Sequence, residues 1–477
     1  MISGFHSNLR AACLIQCRGR PLPTTPLWSS NVATSSHPFR PALLPAKTGE
    51  PYVMNRRDLL VASGLFLVTG KRSSGQSAAP PRVQQQPGPQ ARLLEALQRN
   101  RLPITMSDGP AGRGWDWLVR QARDARFTLI GEEHGVAETA QLSAALFKAL
   151  RGSGYSRMAI ELSPIIAQDI EAAARRNGLQ GILDFYARPD TWSPMYLREE
   201  AQFLATVISA APRGERVLWG FDREIFSDRY LISRLEPRVP PRAKQSFTRL
   251  KDASTNSWAQ REKNPGPPFL FAQDPAIVSA VRADWPNPDR ESDTILRTLE
   301  ESLAINAVAR TGTAWDSSER RAQWMRNAFA TRLREERGSP PKVMMKFGYN
   351  HMIRGVNYVN IFDLGAMPDE VAAASGGRAF HIIVLPGPGS RQAVLGPGRS
   401  FVSVSSDEFD EFRAGDQRLT RVLSNANATG HEVIDLRALR PLAVRGLESW
   451  NSDVVRTILG YDAAVIWKGA HASSGRA

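Results

Sequence analysis

At Leu129 to Gly135 the chain reads LIGEEHG, which sets Glu132, Glu133 and His134 side by side directly after a short apolar run. An imidazole next to carboxylates is held in one tautomer and can take a proton near neutral pH, as a general base for water must. Similar residues follow later apolar runs: Glu161 closes MAIE, Asp222 and Arg223 follow VLWGF, and Asn350 with His351 follow VMMKF. One carboxylate after a strand is ordinarily a helix cap, and one histidine a satisfied loop residue. Four such termini are harder to dismiss, because crowded carboxylates repel unless an imidazole, a guanidinium or a metal compensates them. The chemistry expected is hydrolysis. His134 is the base, Glu132 or Glu133 orients it, Glu161 positions the water, and His351, Asn350 or Arg223 faces the oxyanion developing on a carbonyl.

No covalent nucleophile stands out. A G-x-S-x-G elbow is absent, and both cysteines, Cys13 and Cys17, precede any mature chain that would follow removal of a leader. Direct attack by water is the simpler route, with no cofactor. The chemical rival is a divalent metal. H-E-x-x-H is absent, but His134 and Glu138 are four apart and could share a helix face, with Glu161, Asp222 and His351 as further ligands; His134, Glu161 and His351 form the minimal set.

The elements that must position these residues follow from hydrophobic periodicity. Apolar runs at 127–131, 158–162, 217–221, 343–347, 380–385 and 463–467 read as buried strands. The first three alternate with helical patterns over 139–150, 165–177 and 196–211, as parallel βαβ units do. The fold class is therefore α/β, a parallel-type central sheet flanked by helices. Ligand sites in such sheets lie beyond the carboxyl ends of the strands, where the charged residues collect. Strand patterns nearly vanish between Asp228 and Gly338, while helical segments run over 292–310 and 317–337. This predicts a helical insertion between the third and fourth core strands, acting as a lid or substrate wall.

The expected organisation is an N-terminal extension (1–53), a leader (54–79), a Pro/Gln-rich linker with a first helix (80–105), core segments 106–227 and 341–471 around the insertion (228–340), and a tail (472–477). PGPGSRQAVLGPG, at 386–398, has no helix directly behind it and reads as a loop, not a phosphate cradle. His381 lies inside a strand pattern and reads as structural. His431 and His471 lack acidic company at a strand end and are set aside.

The net charge of +14 raises the question of a nucleic-acid partner. Ten of the 61 Lys and Arg but only two of the 47 Asp and Glu fall within residues 1–82, so most of the excess sits there. Later arginines, as in Arg332 to Arg337, stand beside acids, the pattern of a solvated helix face. No nucleic-acid partner is expected. From Met54, Arg56 and Arg57 precede an apolar stretch from Leu59 to Val68 and then small residues at Ser77 to Ala79. This is signal-peptide architecture resembling a twin-arginine export signal, with an apolar run too short to span a membrane. An exported protein, periplasmic or extracellular, without an integral membrane segment and acting on a small ester or lactone, is the expectation.

The segments LIGEEHGVAE, MAIELSP, VLWGFD, RRAQWMRNAF, KFGYNHMIRG and NIFDLG, with the closing YDAAVIWKGAHAS, resemble the erythromycin esterase-like proteins over roughly Phe127 to His471. The resemblance implies an α/β core with a helical insertion, and hydrolysis in which activated water opens a lactone without a required metal. It implies that Glu132 and His134 are the water-activating pair, Glu161 the second-strand acid and His351 the later histidine. Glu138 matches the acid after the HG step, and Arg321, Met325 and Asn327 fit an R-x-x-x-M-x-N pattern on the insertion's last helix. Together with Asp222, Arg223 and Asn350, Glu138 and Arg321 make up the expected substrate-binding set. Three departures stand out. One residue, not two, separates Glu132 from His134, a spacing shared with ChaN-like haem-binding proteins. The first histidine of the esterases' HNxH motif is replaced by Gly348, and the arginine of the helix after the first motif is absent, Lys148 being the first basic residue there. Haem or metal binding of the ChaN-like kind through His134 and His351, or a Tiki-type metal-dependent hydrolysis, is the alternative.

Overall fold

The computed structural model describes residues 88–264, 266–387, 390–392, 403–405, 423, 430–445 and 452–475. The expected extension, the leader, the first part of the linker, most of the 386–398 loop and the last two residues of the tail lie outside them. The chain divides into two units, Met1–Arg82 and Val83–Ala477, and everything below concerns the second.

Ten strands are present among the described residues: β1 (Arg101–Ile104), β2 (Phe127–Glu132), β3 (Tyr155–Ile160), β4 (Leu218–Gly220), β5 (Lys342–Gly348), β6 (Ala379–Pro386), β7 (Ser390–Gln392), β8 (Ser403–Ser405), β9 (His431–Asp435) and β10 (Ala463–Trp467). Eight of them form one sheet in the order β1-β9-β10-β6-β2-β5-β3-β4, and β7 pairs with β8 apart from it. From β10 to β4 every pairing is parallel, whereas β9 runs antiparallel to both β10 and β1. The strand carrying LIGE is thus central, and register places Glu132 opposite Gly348 of β5.

All six predicted strands occur; β10 has the predicted ends and the other five are shifted. β3 starts earlier and stops at Ile160, which leaves Glu161 just past the strand, and β4 keeps only three residues. The strands not foreseen are the antiparallel pair β1 and β9 and the short antiparallel pair β7 and β8, of which β7 falls within the segment 386–398 expected to be a loop. Arg101, Pro103, Glu432 and Asp435 interrupt the apolar pattern of β1 and β9, and β1 is an edge strand, where proline is tolerated.

Helices α1 (Ala137–Leu150), α2 (Pro164–Ala187) and α3 (Arg198–Ser209) connect the first strands. The predicted end of α2 at Asn177 coincides with a kink, where Asn177 and Gly178 leave helical geometry. Between β4 and β5 the described chain is helical throughout its regular elements, ending in α4 (Arg290–Thr311) and α5 (Ala314–Glu335). α5 opens with a reciprocal cap in which the Thr313 hydroxyl accepts from Asp316 N–H and the Asp316 carboxylate accepts from Thr313 N–H. Its apolar stripe sinks into one face of the sheet. Phe329 meets Phe127 and Phe221 edge-on, with ring centroids 5.5 and 6.0 Å away. A buried aromatic contributes about 1.5–3 kcal/mol. Because Met325 lies on the same buried stripe, Arg321 one turn earlier is carried over the strand ends.

Candidate functional site

β2 ends at Glu132, and Gly135 turns the chain into α1 with φ of 84°, a left-handed conformation that glycine adopts freely. His134 sits in this turn, with its side chain 30% exposed. Its Nδ1 lies 3.1 Å from Glu132 Oε1, and its Nε2 faces Glu161 Oε2 at 3.5 Å. Glu161 in turn accepts from the Gly348 N–H at 2.7 Å through Oε2 and from Arg321 Nη2 at 2.7 Å through Oε1. Arg321 is fixed from behind by Asp222, donating from Nε at 2.9 Å and from Nη2 at 2.5 Å. The second histidine completes the ring: His351 Nδ1 is 2.9 Å from Asp363 Oδ2, while its Nε2 stands 3.7 Å from Glu161 Oε1. Asp363 is held by the Leu364 N–H and the Asn357 side chain.

Electrostatics follow from this crowding. Burial disfavours charge on His134, but Glu161 and Glu132 outweigh it and push its pKa up to about 9. Burial likewise disfavours the Glu161 anion, and His134, His351 and Arg321 together hold it well below the usual carboxylate range. His351 is raised despite its burial, chiefly by Asp363. The sequence suggested a base available near neutral pH. Flanked by two buried carboxylates, the His134 ring holds its proton into the alkaline range.

A cleft of about 250 Å³ opens over these groups. Glu132, Glu133, His134, Glu161, Arg321, Asn350 and His351 line it as expected, joined by Ser318, Tyr349 and Asp363. Three expected residues do not line it. Asp222 lies behind Arg321 as its anchor. Arg223 turns toward the insertion, donating from Nη1 to Asn306 Oδ1 at 2.6 Å and stacking 5.6 Å over Phe271. Glu138 is turned to the segment after β10, which pairs with the turn through an isolated antiparallel bridge between Val136 and Ala472. There His471 Nδ1 is 2.5 Å from Glu138 Oε1, so His471 does have acidic company. Of the α5 pattern, Arg321 alone reaches the cleft: Met325 is buried in the core, and Asn327 accepts from Gln323 on the helix surface. His381 is structural as read, fully buried inside β6.

Lys346, Glu200 and Asp363 were missed. Lys346 had a signal, a lone charge inside the buried run VMMKF. Asp363 lay in NIFDLG, and Glu200 stands in the first turn of α3, where an acid ordinarily does no more than complement the helix dipole. Among the described residues no group of three or more His, Cys, Asp or Glu is arranged to hold a metal ion. Of the trio His134, Glu161 and His351, Glu161 already accepts N–H bonds at both oxygens.

Neither a protein-family model nor a curated protein matches the chain. Solved structures do. A mutant of the erythromycin esterase EreC, in its open conformation, is 13% identical and aligns over 79% of this chain and 98% of its own, with a TM-score of 0.51. The chain has the erythromycin esterase-like fold. A succinoglycan biosynthesis protein shares it at 12% identity, covering 81% of this chain and 98% of that one, with a TM-score of 0.54. A Bacillus cereus protein does so at 16% identity, covering 81% and 99%, with a TM-score of 0.51. Within the erythromycin esterase-like fold, the cleft lies over the carboxyl ends of the central parallel strands, where α/β sheets bind ligands.

Proposed function

We propose that the chain is an exported hydrolase of carboxylic esters or lactones, in which His134, oriented by Glu132, activates water for direct attack without a covalent intermediate. The observation that carries this reading is the space in front of the imidazole. His134 Nε2 and Glu161 Oε2 stand 3.5 Å apart where both residues line the cleft, within reach of one bridging water, and Gly348 beside them has no side chain to fill that space.

Neutral His134 accepts a proton from that water at Nε2 while Glu132 holds the Nδ1–H and stabilises the imidazolium as it forms. Glu161 accepts the water's other hydrogen and aims its lone pair at the carbonyl carbon. His351 Nε2, too far from Glu161 for a strong bond, is the donor available to the developing oxyanion. Collapse of the tetrahedral species breaks the C–O bond, and the leaving alkoxide takes the proton back from His134. The twin-arginine-like segment beginning at Met54 supports export, and N-terminal sequencing of secreted material checks it.

The test is a panel of esters and lactones, assayed with and without chelator, on the wild type and Gly348→Ala. Gly348 has φ −50° and ψ 139°, which alanine adopts without strain, so the backbone is left alone and the added methyl, 3.3 Å from His134 Nε2, crowds the ring and the water beside it. The expected result is chelator-insensitive hydrolysis that falls about 10²-fold in Gly348→Ala. Full activity in the variant removes the water from this position. A Soret band on adding haem, lost in His351→Ala, replaces hydrolysis with haem binding.

A further inference from the structure

Behind the cleft, three charged groups are packed between the sheet and α3 with almost no access to water. Lys346 sits within β5 at 0% exposure, Glu132 at 1% and Glu200, from the first turn of α3, at 3%. The ammonium donates to Glu132 Oε1 at 2.5 Å and to both Glu200 oxygens at 2.9 and 3.0 Å, and it stands 5.3 Å over the Phe203 ring. Glu132 Oε1 is the same atom that meets His134 Nδ1. A continuous chain of contacts therefore runs Glu200, Lys346, Glu132, His134, and only its last two members reach the cleft.

A lysine buried this way is expensive unless it is paired, and replacing the cluster with apolar residues is often neutral or stabilising. Stability alone does not explain its presence. Placement does: Lys346 is one strand over from Glu132, and a carboxylate that shares one oxygen between an ammonium and an imidazole cannot rotate without breaking a bond, while the ammonium beside it favours its charged form. We propose that Lys346 and Glu200 are positioning residues for His134, fixing its Glu132 partner in place and in charge from behind the cleft. This rests on the reading of His134 as the base.

The charges facing each group are few. Toward His134 these are Glu132 on β2, Glu161 beyond β3, Lys346 on β5 and, farther back, Glu200 on α3. Toward Glu200 they are Lys346, Glu132 and His134, with the Tyr186 hydroxyl near the end of α2. Burial pushes Glu200 up to about 7, with Lys346 opposing and Glu132 adding to the rise. Its charge is therefore available to vary in the range where His134 still holds its proton.

Glu200→Gln keeps the size and a hydrogen bond to Lys346 but deletes one negative charge, so the His134 imidazolium is held less tightly. The imidazole of His134 is followed by NMR across pH in the wild type and in Glu200→Gln, alongside the pH profile of kcat/KM. We expect the His134 titration to move down by about one unit, and the rising limb of the profile to move with it, at unchanged KM. Lys346→Met should lower kcat about 10²-fold, again without raising KM; should it fail to fold, Glu200→Gln decides alone. An unmoved His134 titration in folded Glu200→Gln overturns the proposal. A titration that moves in a protein hydrolysing no ester leaves the coupling standing and removes the hydrolase reading instead.

Discussion

Two histidine–carboxylate clusters are built into the same sheet, on neighbouring strands, and they differ in what is done with the second ring nitrogen. His381, inside β6, has Nδ1 at 2.8 Å from the Met352 carbonyl and Nε2 at 2.7 Å from Asp369 Oδ2. Arg354 and Arg440 tie Asp369 and Asp462 into the same network. Every polar atom of the ring is spent. At the cleft, His134 commits Nδ1 to Glu132 but meets Glu161 at Nε2 only at 3.5 Å, with open space in front. Residue type alone does not separate the two rings; exposure does, together with a second nitrogen that faces a cleft and has its nearest carboxylate 3.5 Å away.

Substitution at each ring should break the comparison in opposite directions. His134→Ala should lower kcat/KM on any ester substrate by about 10²–10⁴-fold while the thermal midpoint above pH 9 stays high, since the ring is partly exposed, borders a cavity and has by then lost the charge its carboxylates favour. Steady-state kinetics with a circular dichroism melt on one preparation read both quantities, and a variant that retains full activity removes His134 as the base. His381→Ala should do the reverse. It strips a fully buried partner from Asp369 and from the Met352 carbonyl, and breaking such a pair costs about 3–5 kcal/mol. Denaturant unfolding checks it; a loss below about 1 kcal/mol would mean that the network relaxes around the gap.

The distinction was half legible in the sequence. A charge cluster after an apolar run announces itself, so Glu132, His134, Glu161 and His351 were found at the carboxyl ends of β2, β3 and β5, and His381 was set apart by lying inside a strand pattern. The sheet order was not legible, because nothing local says that β5, some 200 residues later in the chain, inserts between β2 and β3. That insertion brings Gly348 against His134 and Lys346 against Glu132. Arg321 was marked by its helix pattern, but its partners Asp222 and Glu161 depend on how α5 crosses the sheet. Glu138 and His471 lie 333 positions apart and pair through the strap after β10, a contact no spacing rule reaches.

Titration sharpens the comparison with a smaller effect. The His134 pKa is raised to about 9 from an ordinary 6.5, so its imidazolium stabilises the fold fully below pH 6.5 and that contribution is lost as pH rises through 9. Asp369 has the opposite sign. Burial would raise its pKa, but His381 and Arg354 hold it below the usual range, so its contribution is present above the ordinary aspartate pKa and is lost only in acid. The wild type should therefore lose up to about 3 kcal/mol of its advantage over His134→Gln between pH 6.5 and 9, a window in which Asp369 does not change charge. The same proton loss frees the Nε2 lone pair, so kcat/KM should climb through that window while stability declines. Paired denaturant melts at pH 6.5 and 9 and a pH–rate profile measure the two trends. A wild-type stability curve parallel to that of His134→Gln would mean that the carboxylates around the ring do not hold its charge.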